Sequence, residues 1–159
     1  MIRKAKYSDL DDLDQLSLKT IDAMNTLGIK QWDHSYPRKT HFKKDIDSEH
    51  LYVYVENNIL KGVMALMDEF EEAYKIISWD KQNSMVVHRM MVAPAYQKQG
   101  IARKLLTFAI EQSKTLNKAS LKIDTLPDNF KMQRLLKSMA FKSQGYLSNI
   151  NRDAFEFII

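Results

Sequence analysis

"MMVAPAYQKQGIARKLL", Met90–Leu106, is the stretch whose reading decides the fold. An apolar run meets Pro94, a short polar segment ends in Gly100, and apolar residues then recur at Ala102, Leu105, Leu106, Ala109 and Ile110. That spacing is helical, so a strand passes through one tight turn into a helix over about Gly100–Leu116. The chain has four glycines in 159 residues. One placed among glutamines and lysines points to a demand made by the backbone. A helix start presents unpaired N–H groups and about half a positive charge, a combination that holds phosphate. Gly100 lets the chain turn and lets a ligand approach the main chain with no Cβ in the way. Lys98, Arg103 and Lys104 put cations around the same mouth. For "QKQG" taken alone, an ordinary turn with solvated lysines is the better explanation.

Working outward, "SMVVHRMMV" (Ser84–Val92) reads as the strand that feeds this turn, and "ASLKIDTL" (Ala119–Leu126) as the strand after the helix. Pro127 ends it. Asn129 or Asp128 then caps a further helix whose inner face is Met132, Leu135, Leu136 and Met139. "GYLSNI" and "AFEFII" read as two closing strands. Upstream, "LYVYVE" alternates, Asn57-Asn58 is a turn, and "ILKGVMALM" returns, which makes an antiparallel hairpin. "IRKAKY" reads as a first strand. Ser8 and Asp11 form a helix-start pair before an apolar face of Leu10, Leu13, Ser17, Ile21 and Met24. Gly28 ends that helix. "GIKQWDHSYPRKTHF" is an aromatic, polar loop, and a short helix follows from Lys39 to Asp47. "EEAYKIISW" fits either a strand piece or a loop. The pattern predicts an α+β or α/β domain around one mostly antiparallel sheet, residues 1–159 forming a single domain.

Composition bounds the function. The chain has no cysteine, which removes disulfides, thiolate metal sites and a cysteine nucleophile. The four histidines show no metal-ligand spacing, so no metal is expected. The start lacks the apolar core of a signal peptide and no run reaches membrane-spanning length, so the expected compartment is the cytoplasm, with no membrane partner. A net charge of +4 suits a polyphosphate ligand or an acidic partner as well as mere solubility. No recognised nucleic-acid motif accompanies it, and no nucleic-acid partner is expected.

The stretch "VAPAYQKQGIARKLL" resembles the acetyl-CoA-binding motif of the GNAT superfamily of N-acetyltransferases: arginine or glutamine, two residues, glycine, one residue, then glycine or alanine, following a strand. Here it is Gln97, Gly100 and Ala102, with Val92 and Pro94 ahead. Asp124, then Asn129 five residues on, and "LLKSMAF" extend the resemblance over about Val86–Phe141. It implies the GNAT fold, with flanking helices and two parallel central strands that splay apart. It implies acetyl-CoA as co-substrate, with backbone at Met90, Met91 and Val92 bonding the pantetheine arm. The pyrophosphate would sit on the amides of Lys98, Gln99, Gly100, Ile101, Ala102 and Arg103, with Gln97 leading the motif and Asn129 contacting the cofactor near the far strand. The loop with Trp32 and His34 would shape the acceptor pocket, and many relatives form dimers, so a homodimer is one of the states open to the chain.

Two departures stand out. The family's frequent tyrosine, the proton donor to the leaving thiolate, falls at Leu136, and its usual glycine before phenylalanine is Ala140. A thiol titrates near 8.5 and an amine near 10.4, so deprotonating the amine at neutral pH is the larger task, about 4.6 kcal/mol. A base therefore matters more than the missing acid. Asp124 and His88 are the candidates, on the two strands expected to flank the thioester; a strand-end aspartate paired with lysine and a satisfied histidine are their bland alternatives. His41 and His50 read as surface residues. The expected activity is N-acetyl transfer to an amine by direct attack in a ternary complex. An acyl-CoA-binding module with little catalysis, a sensor or partner protein, is the alternative that Leu136 favours.

Overall fold

The computed structural model describes residues 1–68 and 71–159. The chain forms two compact units, the first of residues 1–66 and 89–106, the second of residues 67–88 and 107–159. Its elements are β1 (Ile2–Lys4), α1 (Leu10–Thr26), α2 (Lys39–Asp47), β2 (Leu51–Glu56), β3 (Ile59–Met67), β4 (Ser84–Val92), α3 (Ile101–Thr115), β5 (Ser120–Thr125), α4 (Phe130–Ser138), β6 (Lys142–Leu147) and β7 (Arg152–Ile158). The mixed α+β class expected from the sequence holds.

In the first unit β1, β2 and β3 are antiparallel neighbours, with Leu51 opposite Ala65 and Val53 opposite Val63. Asn57 and Asn58 take φ values of 53° and 60°, as a two-residue hairpin turn of the primed type requires. Leu13 and Leu16 of α1 and Phe42 of α2 cover Leu51, Val53, Val63, Ala65 and Met91. The buried positions of α1, Leu13, Leu16, Ser17, Thr20 and Ile21, follow the helical period. Two local expectations need correction. The first strand stops at Lys4, and Tyr7–Asp9 forms a 3-10 turn. Ser8 and Asp11 do not make the start of α1; Asp9 precedes it, its carboxylate forked by Arg3 at 2.7 and 2.9 Å and bonded by the Lys6 amide at 2.7 Å. A buried carboxylate facing a guanidinium is better satisfied than an exposed serine cap, so the pair sets the helix entry.

In the second unit β4 pairs with β5 in parallel over Ser84–Val87 and Ser120–Ile123, and β5, β7 and β6 follow in that order as antiparallel neighbours. Tyr74, Trp79, Val86, Leu147 and Ala154 form its core. "EEAYKIISW" resolves into a 3-10 helix at Glu72–Ile76. The first closing strand begins at Lys142 rather than Gly145, and residues 148–150 turn. Buried Glu156 accepts from the Asp80 and Lys81 amides at 2.9 and 3.2 Å and from Ser120 Oγ at 2.5 Å. Buried Lys122 donates to the Lys81 carbonyl at 2.7 Å and stands over the Trp79 ring. Burial holds the Lys122 ammonium below its usual range.

Candidate active site

The turn after β4 begins with a 3-10 turn at Pro94–Tyr96, and α3 begins at Ile101. Lys98 and Gly100 take φ values of 63° and 77°. At Gly100 the left-handed region favours glycine, and a Cβ built there meets nothing within 4 Å. The space over the turn is therefore open. Among the described residues, the amides of Lys98, Gln99, Gly100, Ile101 and Ala102 make no hydrogen bond; the first bond to reach back is Lys104 N–H to the Gly100 carbonyl at 3.0 Å. Five free donors at the positive end of a fifteen-residue helix are chemically able to hold an anion. Gln97 lies against its own strand, its amide donating to the Val92 carbonyl at 3.3 Å. Arg103 is exposed. Lys104 reaches the Tyr54 hydroxyl at 3.2 Å.

Met90 and Met91 have buried side chains and Val92 is half-buried. Gly62 of β3 faces them closely. A Cβ there would lie 3.2 Å from the Met91 carbonyl, 3.2 Å from Ile101 and 3.3 Å from Leu105. A Cβ there would press on the Met91 carbonyl and on α3, so glycine suits this approach of β3 to the turn. Arg89 just upstream takes a φ of 49° inside β4, which costs an arginine about 1–2 kcal/mol. Its guanidinium forks onto Asp45 at 2.7 and 2.6 Å and donates to the Tyr36 hydroxyl at 2.7 Å. Arg89 and Asp45 are 14% and 5% exposed at their side chains. Trp32 packs against the core of the first unit, whereas His34 is exposed and pairs with Asp22 at 2.6 Å. The loop is fastened by Ser17 Oγ donating to the Pro37 carbonyl at 2.7 Å and by Arg38 forked on Asp14. His41 and His50 are half-buried, not surface residues; His41 Nδ1 accepts from the Arg38 amide at 3.0 Å and its ring edges Tyr36.

In the second unit Asp124 lies at the end of β5. The Tyr74 hydroxyl donates to its Oδ2 at 2.5 Å, and Arg152 Nε stands 3.6 Å from Oδ1. Its partners are thus a phenol and a guanidinium, and no lysine pairs with it there among the described residues. Burial raises the Asp124 carboxyl above its ordinary value, against the lowering effects of the Tyr74 bond and the charges of His88 and Arg152. Burial first, then the Asp124 charge and bond, drive the Tyr74 phenol well above its ordinary value. The phenol is therefore a proton donor at any ordinary pH. His88 Nε2 lies 3.1 Å from Glu71 Oε1, at an angle that makes no hydrogen bond. Asn129 caps α4, its side-chain oxygen accepting from the Met132 amide at 3.3 Å. Leu136 is fully buried. Ala140 takes a φ of 65° after α4, and the Phe141 amide reaches back to the Leu136 carbonyl at 3.0 Å. This is the helix ending that glycine normally serves.

The first unit thus holds Met90–Arg103 with Trp32 packed against the core that includes Met91, while His34 stands apart on Asp22; the second brings together Asp124, His88 and, separately, Asn129. Sequence reading missed Tyr74, Glu71 and Arg152 around Asp124, and Gly62 and Arg89 beside the turn. The one available signal was Gly62, a glycine interrupting an otherwise apolar strand.

The acetyltransferase (GNAT) family model matches residues 17–141. A GNAT-family acetyltransferase from Streptococcus agalactiae 2603 matches the structure with a TM-score of 0.91 and 24% identity, over 100% of this chain and 95% of that one. A putative acetyltransferase from Staphylococcus aureus Mu50 matches at 0.78 and 26%, over 99% and 98%. The PaiA N-acetyltransferase from Thermoplasma acidophilum, in complex with coenzyme A, matches at 0.81 and 16%, over 100% and 98%. No curated protein matches the chain.

Proposed function

The chain belongs to the acetyltransferase (GNAT) family, and from that premise we propose that it transfers the acetyl group of acetyl-CoA to an acceptor amine by direct attack in a ternary complex. The observation that carries the cofactor is the row of free amides from Lys98 to Ala102 beneath an open Gly100. These donors suit a pyrophosphate, with Arg103 adding charge and Gln97 holding the turn. A structural neighbour that binds coenzyme A supports the same ligand. Main chain at Met90, Met91 and Val92 takes the pantetheine arm, and an N–H near Met91 polarises the thioester carbonyl as its oxygen gains charge. Asn129, which caps α4, is the further residue assigned to the cofactor. Trp32 and His34 shape the acceptor pocket.

Asp124 serves as the base. Burial raises its proton affinity toward the working range, and the Tyr74 hydroxyl holds its second oxygen. His88 is the other candidate. With no cysteine in the chain, no thiol-linked acyl-enzyme intervenes, so the amine attacks the thioester, its proton leaves to the base, and the thiolate departs. The reading takes the protein as a cytoplasmic enzyme and a homodimer. It takes residues 1–159 as one domain, because the family match runs through both units.

A panel of amines assayed for acetyl-CoA-dependent CoA release tests the activity. With the amine that responds, Asp124→Asn or His88→Gln should lower kcat by at least about 10²-fold with acetyl-CoA affinity unchanged. A binding module with little catalysis is the second reading, favoured by Leu136 buried where the family's acid falls. Acetyl-CoA binding without release for any amine would establish it.

A further inference from the structure

We propose that Arg89 is a positioning residue whose clamp on Asp45 and Tyr36 aims the Met90–Met91 backbone at the acetyl carbonyl. The inference rests on the reading above that β4 carries the thioester.

A lone left-handed residue inside a strand departs from extended backbone and so turns the groups that follow it. Glycine or asparagine would adopt that conformation readily; arginine does not. Something outside the strand must hold it. Three hydrogen bonds do so, two to the Asp45 carboxylate and one to the Tyr36 hydroxyl. Asp45 sits in α2 and is buried. Tyr36 is braced by the His41 ring, whose centroid lies 4.7 Å away. A planar fork is the only cationic group that meets both carboxylate oxygens at once; lysine offers a single point charge. The backbone step at Arg89 is therefore fixed by α2 and by the loop that also carries Trp32 and His34. That loop and the Met90–Met91 backbone share one guanidinium, so a shift of the loop is felt at the next two residues of β4.

The test compares acetyl-CoA with CoA, which lacks the carbonyl. Titration calorimetry with both ligands on Arg89→Lys and Tyr36→Phe should show CoA affinity within twofold of wild type. The preference for acetyl-CoA over CoA should fall about tenfold, or about 1.4 kcal/mol. Isotope-edited infrared spectra of bound, carbonyl-labelled acetyl-CoA should show the band moving back toward its position in water. An unchanged preference and an unchanged band in both variants would overturn the proposal. Equal loss of both ligands would reduce Arg89 to a structural clamp and overturn it as well. If Arg89→Lys does not fold, Tyr36→Phe, which deletes one oxygen, decides alone. Wild-type protein that binds neither ligand would bring down the acetyl-CoA reading and this one with it.

Discussion

Gly100→Ala separates what the backbone needs at the turn from what a ligand needs there. Gly100 has a φ of 77° and no atom within 4 Å of a built Cβ. Gly28, after α1, is its near twin, with a φ of 75° and equally open space. An alanine at either position must enter the left-handed region, at about 1–2 kcal/mol. For a chain of this size that is a fall of about 2–8 °C in Tm. The stability losses should therefore be alike. Ligand affinity should not be. A Cβ over Gly100 stands where a pyrophosphate would meet the amides of Lys98 to Ala102. Displacing one charge-assisted bond costs about 1.5–3 kcal/mol, so acetyl-CoA affinity should fall by at least about tenfold. Gly28→Ala should leave it at wild type. Thermal melts with calorimetric titration on both variants measure the two effects. If Gly100→Ala binds acetyl-CoA as Gly28→Ala does, the turn is not a phosphate cradle and the assignment of Lys98–Arg103 fails.

Ala140→Gly should raise Tm by about 1–4 °C, since glycine relieves the left-handed strain after α4 and gives back part of it as unfolded-state entropy; an unchanged or lower Tm would contradict the geometry at φ 65°. Leu136→Tyr should leave turnover within about tenfold of wild type and cost about 1–3 kcal/mol, because a phenol must enter a fully buried site; a hundredfold gain in CoA release would show that the missing acid limits the enzyme. Asp124→Asn should flatten the acid-side pH dependence of stability. Between the ordinary carboxylate value and the raised folded value of Asp124, the native state binds more protons than the unfolded one. Stability from this group therefore falls as pH rises through that window and levels off above it. Denaturant melts across the acid range should show the wild-type minus variant difference declining with pH, and a rising difference would reverse the sign.

The parts of the fold legible in the sequence are those whose signals are local. The Asn57-Asn58 hairpin, the strand–turn–helix around Gly100, the buried face of α1 and the Asn129 cap each depend on residues within a few positions of one another. Illegible features depend on distant partners. Tyr74 gains its meaning from Asp124, fifty positions later, so "EEAYKIISW" read alone gives neither its 3-10 helix nor its role. Arg89 takes a conformation that its own residue type disfavours, because Asp45 and Tyr36 lie 44 and 53 positions upstream. No glycine marks the place. The early part of β6 is polar and exposed, so its alternation carries no hydrophobic signal, and its pairing with β7 has a register shift between Ser143 and Gly145.

The surroundings of Asp124 also bear on where the second proton comes from. Leu136 cannot donate, and it sits in a closed apolar site. Tyr74 can donate, but its hydroxyl is already committed to Asp124. Burial is the main reason the phenol holds its proton so firmly, and while Asp124 is ionised a phenolate beside it would also face a like charge at hydrogen-bond distance. If Asp124 takes a proton from the amine, that repulsion is gone, and the phenol, still held up by burial, is easier to deprotonate than it was beside the carboxylate. A base and an acid joined by one short hydrogen bond are thus coupled, and their protons come off as a pair. Tyr74→Phe therefore perturbs Asp124 before it removes any acid. It deletes the bond that lowers the carboxyl, so the apparent pKa of the acid limb in the CoA-release profile should move upward. A tyrosine acting independently of Asp124 would leave that limb in place and change only the plateau.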